Sequence, residues 1–339
     1  MGLAEVGASV TTGLRPFSSI RDLPAVTLLL AREFSSELQV ESATMARLLN
    51  WVNRLPVLAW AWPGLDAWFD GGMAGFVWVE NGRVVGNANV TPLSRGGLDW
   101  VVSNVVVDGP FRRRGIGRRL VEACLEHVLL QGGRRALLQV WEGNLPAVQL
   151  YGGLGFRVAG RTRRLVVRGG GERATGVPDE CPPGWQWRHS WFGDDWALRD
   201  MAEAMCSREA RLLRPSPARM FTPSPWDRAL PLLSRVGAVL RGERAVLDDG
   251  ERARGALAIS GGWGRWHRLI VVLSPDVERA AARCLAARAR AMASSAREGW
   301  VVCDLPEPFA LLREELVATG FTERDCLLQM VLDLGSGRL

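Results

Sequence analysis

The sequence predicts a mixed α/β fold built twice in tandem, and three observations carry that reading. β-Branched apolar runs alternate with helical stretches, most clearly where Val105-Val-Val leads through a glycine-bearing turn into the apolar-faced segment Leu120–Leu130. Asn81-Gly82 separates two strand-like segments and marks a tight antiparallel hairpin. The chain also aligns on itself without a gap: Val105-Val-Val-Asp-Gly-Pro110 lies over Ile270-Val-Val-Leu-Ser-Pro275, an offset of 165 residues, with Leu120 over Leu285 and Gly155-Phe156 over Gly320-Phe321. The division expected is a first domain over 1–168, a Gly/Pro-rich linker over 169–184 and a second copy over 185–339.

Composition narrows the class. The 339 residues are 47% hydrophobic and 23% charged, which suits two globular domains. There is no lysine, so all 42 basic residues are Arg, and one Tyr stands against 15 Trp. Nucleotide bias in the gene accounts for that skew. Residues 1–168 carry 19 Arg against 13 acidic residues, the whole of the net +6, while the remainder is balanced at 23 of each. A surplus this small favours an anionic small ligand and argues against nucleic acid. The six Cys form no C-x-x-C pair and the three His are far apart, so neither a disulfide framework nor a metal site is expected. No apolar run reaches membrane-spanning length and no secretory leader is visible, so a cytoplasmic protein without membrane contact is expected.

In chain order, Leu14–Pro16 reads as a first strand. Asp22 is a candidate N-cap for a helix to Ala31 or Glu33, and a second helix fits Ala43–Asn53. Trp60, Trp62, Trp68 and Phe69 then form an aromatic stretch, read as core first and as a pocket wall second. Strands follow at Phe76–Glu80, Arg83–Val90 and Trp100–Val107. After the helix come a strand, Arg135–Trp141, a short helix from Asn144 toward Gly155, and a closing strand, Arg157–Val167. Trp185–Arg188 and a helix near Asp195–Met205 restart the pattern.

The loop between strand and helix is the informative part. It places Arg112, Arg113, Arg114, Gly115, Ile116, Gly117 and Arg118 between Val105-Val106-Val107 and the helix. Two glycines let backbone amides approach a phosphate, and the helix start adds partial positive charge. The spacing is neither Gly-Lys-Ser/Thr nor G-x-G-x-x-G. Arg-x-x-Gly-x-Gly followed by Asn144…Leu150-Tyr151…Gly155-Phe156 resembles the GNAT N-acetyltransferase superfamily.

That resemblance implies two tandem GNAT-like domains and acetyl-coenzyme A as cofactor. Val105–Val107 would meet its pantetheine arm, Arg112–Arg118 its pyrophosphate, and Asn144 the cofactor at the next helix. Tyr151 would be the general acid for the departing thiolate. Glu142, with Asp108 behind it, is the candidate base, since Gln139 stands where some members carry Glu. The acceptor implied is a primary amine of a small molecule or peptide, and the protein a monomer or homodimer. Transfer of a larger acyl or aminoacyl group, thiol-metabolite synthesis and a non-catalytic coenzyme A sensor are the alternatives. Tyr151, the chain's only tyrosine, weighs against the sensor. In the second copy Val277, Ala280 and Ala282 replace Arg112, Gly115 and Gly117, Glu278 enters the loop, and Leu316 and Phe309 replace Tyr151 and Asn144. That copy is expected to be non-catalytic.

Overall fold

The computed structural model describes residues 12–33, 74–93, 96–170, 181–190, 194–204, 213, 244–261, 266–296 and 298–335. The helix expected over 43–53 and the aromatic stretch around Trp60–Phe69 lie outside the described residues. Two compact units result: Met1–Leu138 with Gln149–Arg157 and Val331–Leu339, and Gln139–Val148 with Val158–Met330.

The first unit opens with strand β1 (Gly13–Pro16) and helix α1 (Ser19–Glu33). The antiparallel run β2 (Ala74–Glu80), β3 (Arg83–Pro92) and β4 (Asp99–Val107) comes next. Helix α2 (Ile116–Leu130) leads to β5 (Arg135–Trp141), and the strand order here is β1-β2-β3-β4-β5. Asn81 and Gly82 both have positive φ, 49° and 77°, the backbone that the two-residue turn demands. Helix α2 buries Ile116, Leu120, Val121, Cys124, Leu125 and Val128, one stripe of a 3.6-residue repeat. Gly86 makes room for it: a Cβ there would stand 3.0 Å from Leu120 and 3.2 Å from Ile116.

Asp22 is not the cap of α1. The helix begins before it, and the buried carboxylate reaches back to accept the Ser18 N–H at 2.8 Å. It also takes two hydrogen bonds from Arg15 of β1, at 2.6 and 2.7 Å. The carboxylate thus serves a tertiary partner and the helix start together.

Helix α3 (Leu145–Gly152) and strand β6 (Arg157–Gly169) follow, each contributing to both units. The second copy then runs β7 (Gln186–Arg188), α4 (Asp195–Ala204), β8 (Arg244–Asp248), β9 (Ala253–Gly261) and β10 (Trp266–Leu273). It continues through α5 (Arg279–Ser295), β11 (Gly299–Pro306), α6 (Ala310–Ala318) and β12 (Thr322–Asp333). Strand order in this unit is β12-β6-β11-β10-β9-β8-β7.

Two features depart from the sequence reading. Strand β6, assigned there to the first domain, pairs antiparallel with β11 from Thr162↔Pro306 to Gly169↔Gly299. Its Leu165 and Val167 enter the core with Val301, Cys303 and Leu305, while Arg164 binds Asp304 on the other face at 2.8 Å. Both faces of β6 therefore find their complement on β11. A disulfide, which the cysteine spacing argued against, joins Cys181 at the linker's end to Cys284 of α5, 103 residues later. Among the described residues no helix is long and apolar enough to cross a membrane, and no His/Cys/Asp/Glu group could hold a metal.

The second unit repeats the first strand–helix clasp. Arg188 of β7 gives Asp194 two hydrogen bonds at 2.8 and 2.7 Å, as Arg15 does to Asp22. Burial raises the carboxyl of Asp22, but Arg15 and the Ser18 amide outweigh it and hold the group below its ordinary value. The stabilisation is thus present at neutral pH and lost as pH falls through the lowered folded-state value. Arg15→Ala strands a buried carboxylate and should cost about 3 kcal/mol in urea unfolding at pH 7. The deficit should shrink below about pH 4 as Asp22 protonates.

Candidate functional site

The site of the first unit begins where β4 leaves β5. Their parallel ladder covers Asp99–Val101 against Arg135–Leu137 and goes no further, so the last residues of β4 lose that neighbour. Against β3 the register slips: Asn89 faces Ser103 and Asn87 faces Val106, leaving Asn104 and Val105 opposite Ala88 alone. This is a β-bulge, and Asn104 takes a left-handed φ of 53° within it.

Beyond β4, Pro110 starts a 3-10 turn over Gly109–Phe111. Asp108, a fallback base in the sequence reading, is committed: its carboxylate binds Arg83 at 2.7 Å and its N–H donates to Val85. The chain then takes two left-handed residues, Arg113 at φ 66° and Gly115 at 77°, before α2 begins. Gly115 is the N-cap and offers no side chain to the helix start. The amides of residues 113–118 find no acceptor among the described residues, so a run of unpaired N–H groups lies at the positive end of the helix dipole.

The arginines around it have separate tasks. Arg112 turns away, donating to the Val107 carbonyl at 3.0 Å and pairing with Glu33 of α1. Arg114 donates to the Pro110 carbonyl and lies over the Phe111 ring, 5.1 Å from its centroid. Arg118 reaches Glu122 and the Gly153 carbonyl, at 3.4 and 3.2 Å. Arg113 has no ion pair among the described residues. The preformed element is thus the backbone, braced by arginines.

Gly117 tests whether a diphosphate fits. A Cβ at this position would meet Leu150 at 3.5 Å and Val107 at 3.8 Å, ordinary contacts, so packing does not demand glycine. At Gly115, by contrast, a Cβ would meet nothing within 4 Å, so the loop is open there. The residues present fit a phosphate group.

Tyr151 sits in the same unit, buried near the end of α3 and edge-on to Phe156 with ring centroids 5.9 Å apart. Burial, then the Cys124 thiol of α2 beside it, pushes its hydroxyl above the ordinary tyrosine value, so the phenol stays protonated. Burial likewise pushes the Cys124 thiol to about 12, which leaves it an inert neighbour. Glu142 and Asn144 belong to the second unit. Glu142 is half exposed and lies 3.5 Å from Arg161, its N–H donating to the Cys326 carbonyl. Asn144 caps α3, its carbonyl accepting from Ala147 and Val148 at 3.0 Å.

In the second unit the corresponding loop supplies its own anions. Glu278 is the N-cap of α5, and Asp276 binds Arg254 at 2.8 Å. Arg279 and Arg283 are taken up by Glu314 and the buried Glu315, at distances from 2.6 to 3.2 Å. Leu316 and Phe309 are core residues.

Fold and loop together are similar to those of GNAT-type acyltransferases. Residues 41–156 match the Acetyltransferase (GNAT) family. A 55-residue stretch is 44% identical to the mycothiol acetyltransferase of Corynebacterium glutamicum, covering 16% of this chain and 19% of that protein. A 56-residue stretch is 39% identical to the [ribosomal protein bS18]-alanine N-acetyltransferase of Salmonella typhimurium, covering 16% and 38%. The matches thus span well under half of either relative. The fold is shared over nearly the whole length with a GCN5-related N-acetyltransferase from Sphaerobacter thermophilus, at TM-score 0.62, 16% identity and 98% of both chains. It is shared also with a tandem GNAT protein of the clavulanic acid biosynthesis pathway, at TM-score 0.56, 17% identity, 96% of this chain and 99% of that one.

Gly117→Ala separates ligand from packing. Alanine favours the first helical turn, so the melting temperature should stay or rise by the equivalent of about 0.5–1 kcal/mol. Affinity for coenzyme A, read by calorimetry, should fall about tenfold or more, because the Cβ enters the phosphate space.

Proposed function

We propose that the protein is an acetyl-coenzyme A-dependent N-acetyltransferase acting on a primary amine of a small molecule or peptide by direct attack. The observation that carries this reading is the row of amides at residues 113–118, which find no acceptor among the described residues and lie beside Gly115 and Gly117. Acetyl-coenzyme A supplies the acyl thioester and departs as a thiolate. The amides of 113–118 hold its diphosphate, with Arg113 nearest to hand for charge neutralisation. The released edge of β4, Val105–Val107, offers backbone groups to the extended arm and to the thioester carbonyl. The neutral amine nitrogen bonds to the carbonyl carbon while the C–S bond breaks. Tyr151 Oη gives its proton to the sulfur, a proton that the buried phenol carries at neutral pH. Glu142, half exposed, is the proposed acceptor of the ammonium proton.

The second unit keeps the fold without such a loop, since its Ala281 and Ala282 amides donate to the Glu278 carbonyl and its Arg279 and Arg283 are taken up by Glu315. Its proposed role is to shape the acceptor side or to stand in for a dimer partner. The match to a mycothiol acetyltransferase favours, as a second reading, an amine carried on a thiol-bearing metabolite.

Tyr151→Phe removes one hydroxyl from a packed ring. Turnover with an accepted amine should fall about a hundredfold, with coenzyme A affinity nearly unchanged. Steady-state kinetics beside calorimetry checks this, and full turnover in the variant would remove Tyr151 from the chemistry.

A further inference from the structure

The first unit holds an asparagine cluster that the proposed chemistry does not use. Asn87 and Asn89 sit in β3 with side chains buried, at 0% and 2% exposure. Asn87 is opposite Val77, whose side chain joins Val26 of α1 in the core, so both asparagines point into the α1 side of the sheet. Asn87 Nδ2 donates to Asn89 Oδ1 at 2.8 Å and to the Asn104 carbonyl at 3.0 Å. Asn104 Nδ2 in turn donates to Asn89 Oδ1 at 3.2 Å. Asn104 is thereby gripped through main chain and side chain together.

This arrangement is poorly explained as a stability device. Asn87 Oδ1 and Asn89 Nδ2 find no partner among the described residues, and buried amides left half satisfied cost more than valine or leucine would. Gly75 lies against it: a Cβ there would stand 2.4 Å from Asn89 Nδ2 and 2.8 Å from the Ala88 carbonyl. What the cluster does accomplish is geometric. Asn104 is the left-handed residue of the bulge, and the bulge sets where Val105–Val107 run after β4 has left β5. Polar residues that cost stability and fix one strained backbone residue mark a positioning device.

We propose that Asn87 and Asn89 are positioning residues of the acyl-transfer site, clamping the Asn104 bulge so that the β4 backbone meets the acyl carbonyl. The inference rests on the acetyl-coenzyme A reading of the same site. The clamp lies in β3 and β4, apart from the loop that takes the diphosphate. Loosening it therefore acts on the acetyl end of the cofactor and spares the nucleotide end.

The test uses the full chain with three variants. Asn87→Leu removes both donated hydrogen bonds at similar volume. Asn104→Gly keeps the left-handed backbone at little cost, and the double variant combines them. Kd for coenzyme A and for acetyl-coenzyme A is measured by calorimetry, beside kcat and the melting temperature. Asn87→Leu should bind coenzyme A within about twofold of wild type, bind acetyl-coenzyme A about fivefold more weakly and turn over about tenfold more slowly. Adding Asn104→Gly should recover most of both losses, because glycine holds the bulge without the clamp. If Asn87→Leu does not fold, Asn104→Ala, which penalises the left-handed residue directly, should give the same split. Unchanged acetyl-coenzyme A affinity and kcat would overturn the inference. So would an equal loss of coenzyme A binding, or losses that glycine does not recover. A wild-type protein that binds no acetyl-coenzyme A would instead remove the functional reading, and the clamp with it.

Discussion

The proposed chemistry of the first unit depends on one constraint, the early parting of β4 from β5. A strand held on both edges has no backbone groups to spare. β4 is held on both edges only as far as Val101, and from there to Val107 one edge is released. The bulge at Asn104 redirects that released segment, and the turn at Pro110 delivers the chain to Arg113 and Gly115. Every later feature is downstream of this parting. The unsatisfied amides at the start of α2 would be a liability in a structural helix. Here they lie beside two glycines, and Arg112, Arg114 and Arg118 around them are tied to carbonyls, carboxylates and an aromatic ring.

Duplication kept the devices that hold the fold and let go of those that hold a ligand. The Arg–Asp clasp between first strand and first helix recurs as Arg15–Asp22 and Arg188–Asp194. So does the glycine beneath the central helix: Gly86 lies under Leu120, and at Gly255 a Cβ would come within 2.7 Å of Leu285. Both devices are demanded by packing and survive wherever the fold does. Glycines at 115 and 117 are demanded by backbone geometry and by open space, and the second copy has alanines at the matching positions, 280 and 282. Glu315 shows the direction of that drift, since it now partners the cationic groups an anion would use, while the Ala281 and Ala282 amides donate to the Glu278 carbonyl.

How much of this could be read from the sequence follows from the range of each interaction. The Asn81-Gly82 hairpin, strand Arg135–Trp141 and the glycine loop were legible because each is fixed by neighbours within a few residues. Asp22 was misread as a cap because its partner, Arg15, lies on another element and outweighs the local signal. The partner of β6 and the Cys181–Cys284 bond join positions more than a hundred residues apart, and nothing in either segment names the other. The asparagine clamp had a signal, two asparagines at alternate positions of a strand that otherwise reads as apolar. Its meaning needed the register with β4. The roles of Glu142 and Asn144 were carried by resemblance; the structure shows Glu142 beside Arg161 and Asn144 at the cap of α3.

The central claim is that the chain carries a single nucleotide site, built by the free amides of residues 113–118 and by no counterpart in the second copy. Calorimetric titration of the intact protein with coenzyme A tests it most directly when paired with Gly117→Glu, which puts both bulk and negative charge into the phosphate space. The account predicts a stoichiometry near one for the native chain and no measurable binding for the variant. A stoichiometry near two, or full affinity surviving in Gly117→Glu, would mean that the loop at Val277–Ala282 is a working site and would contradict it.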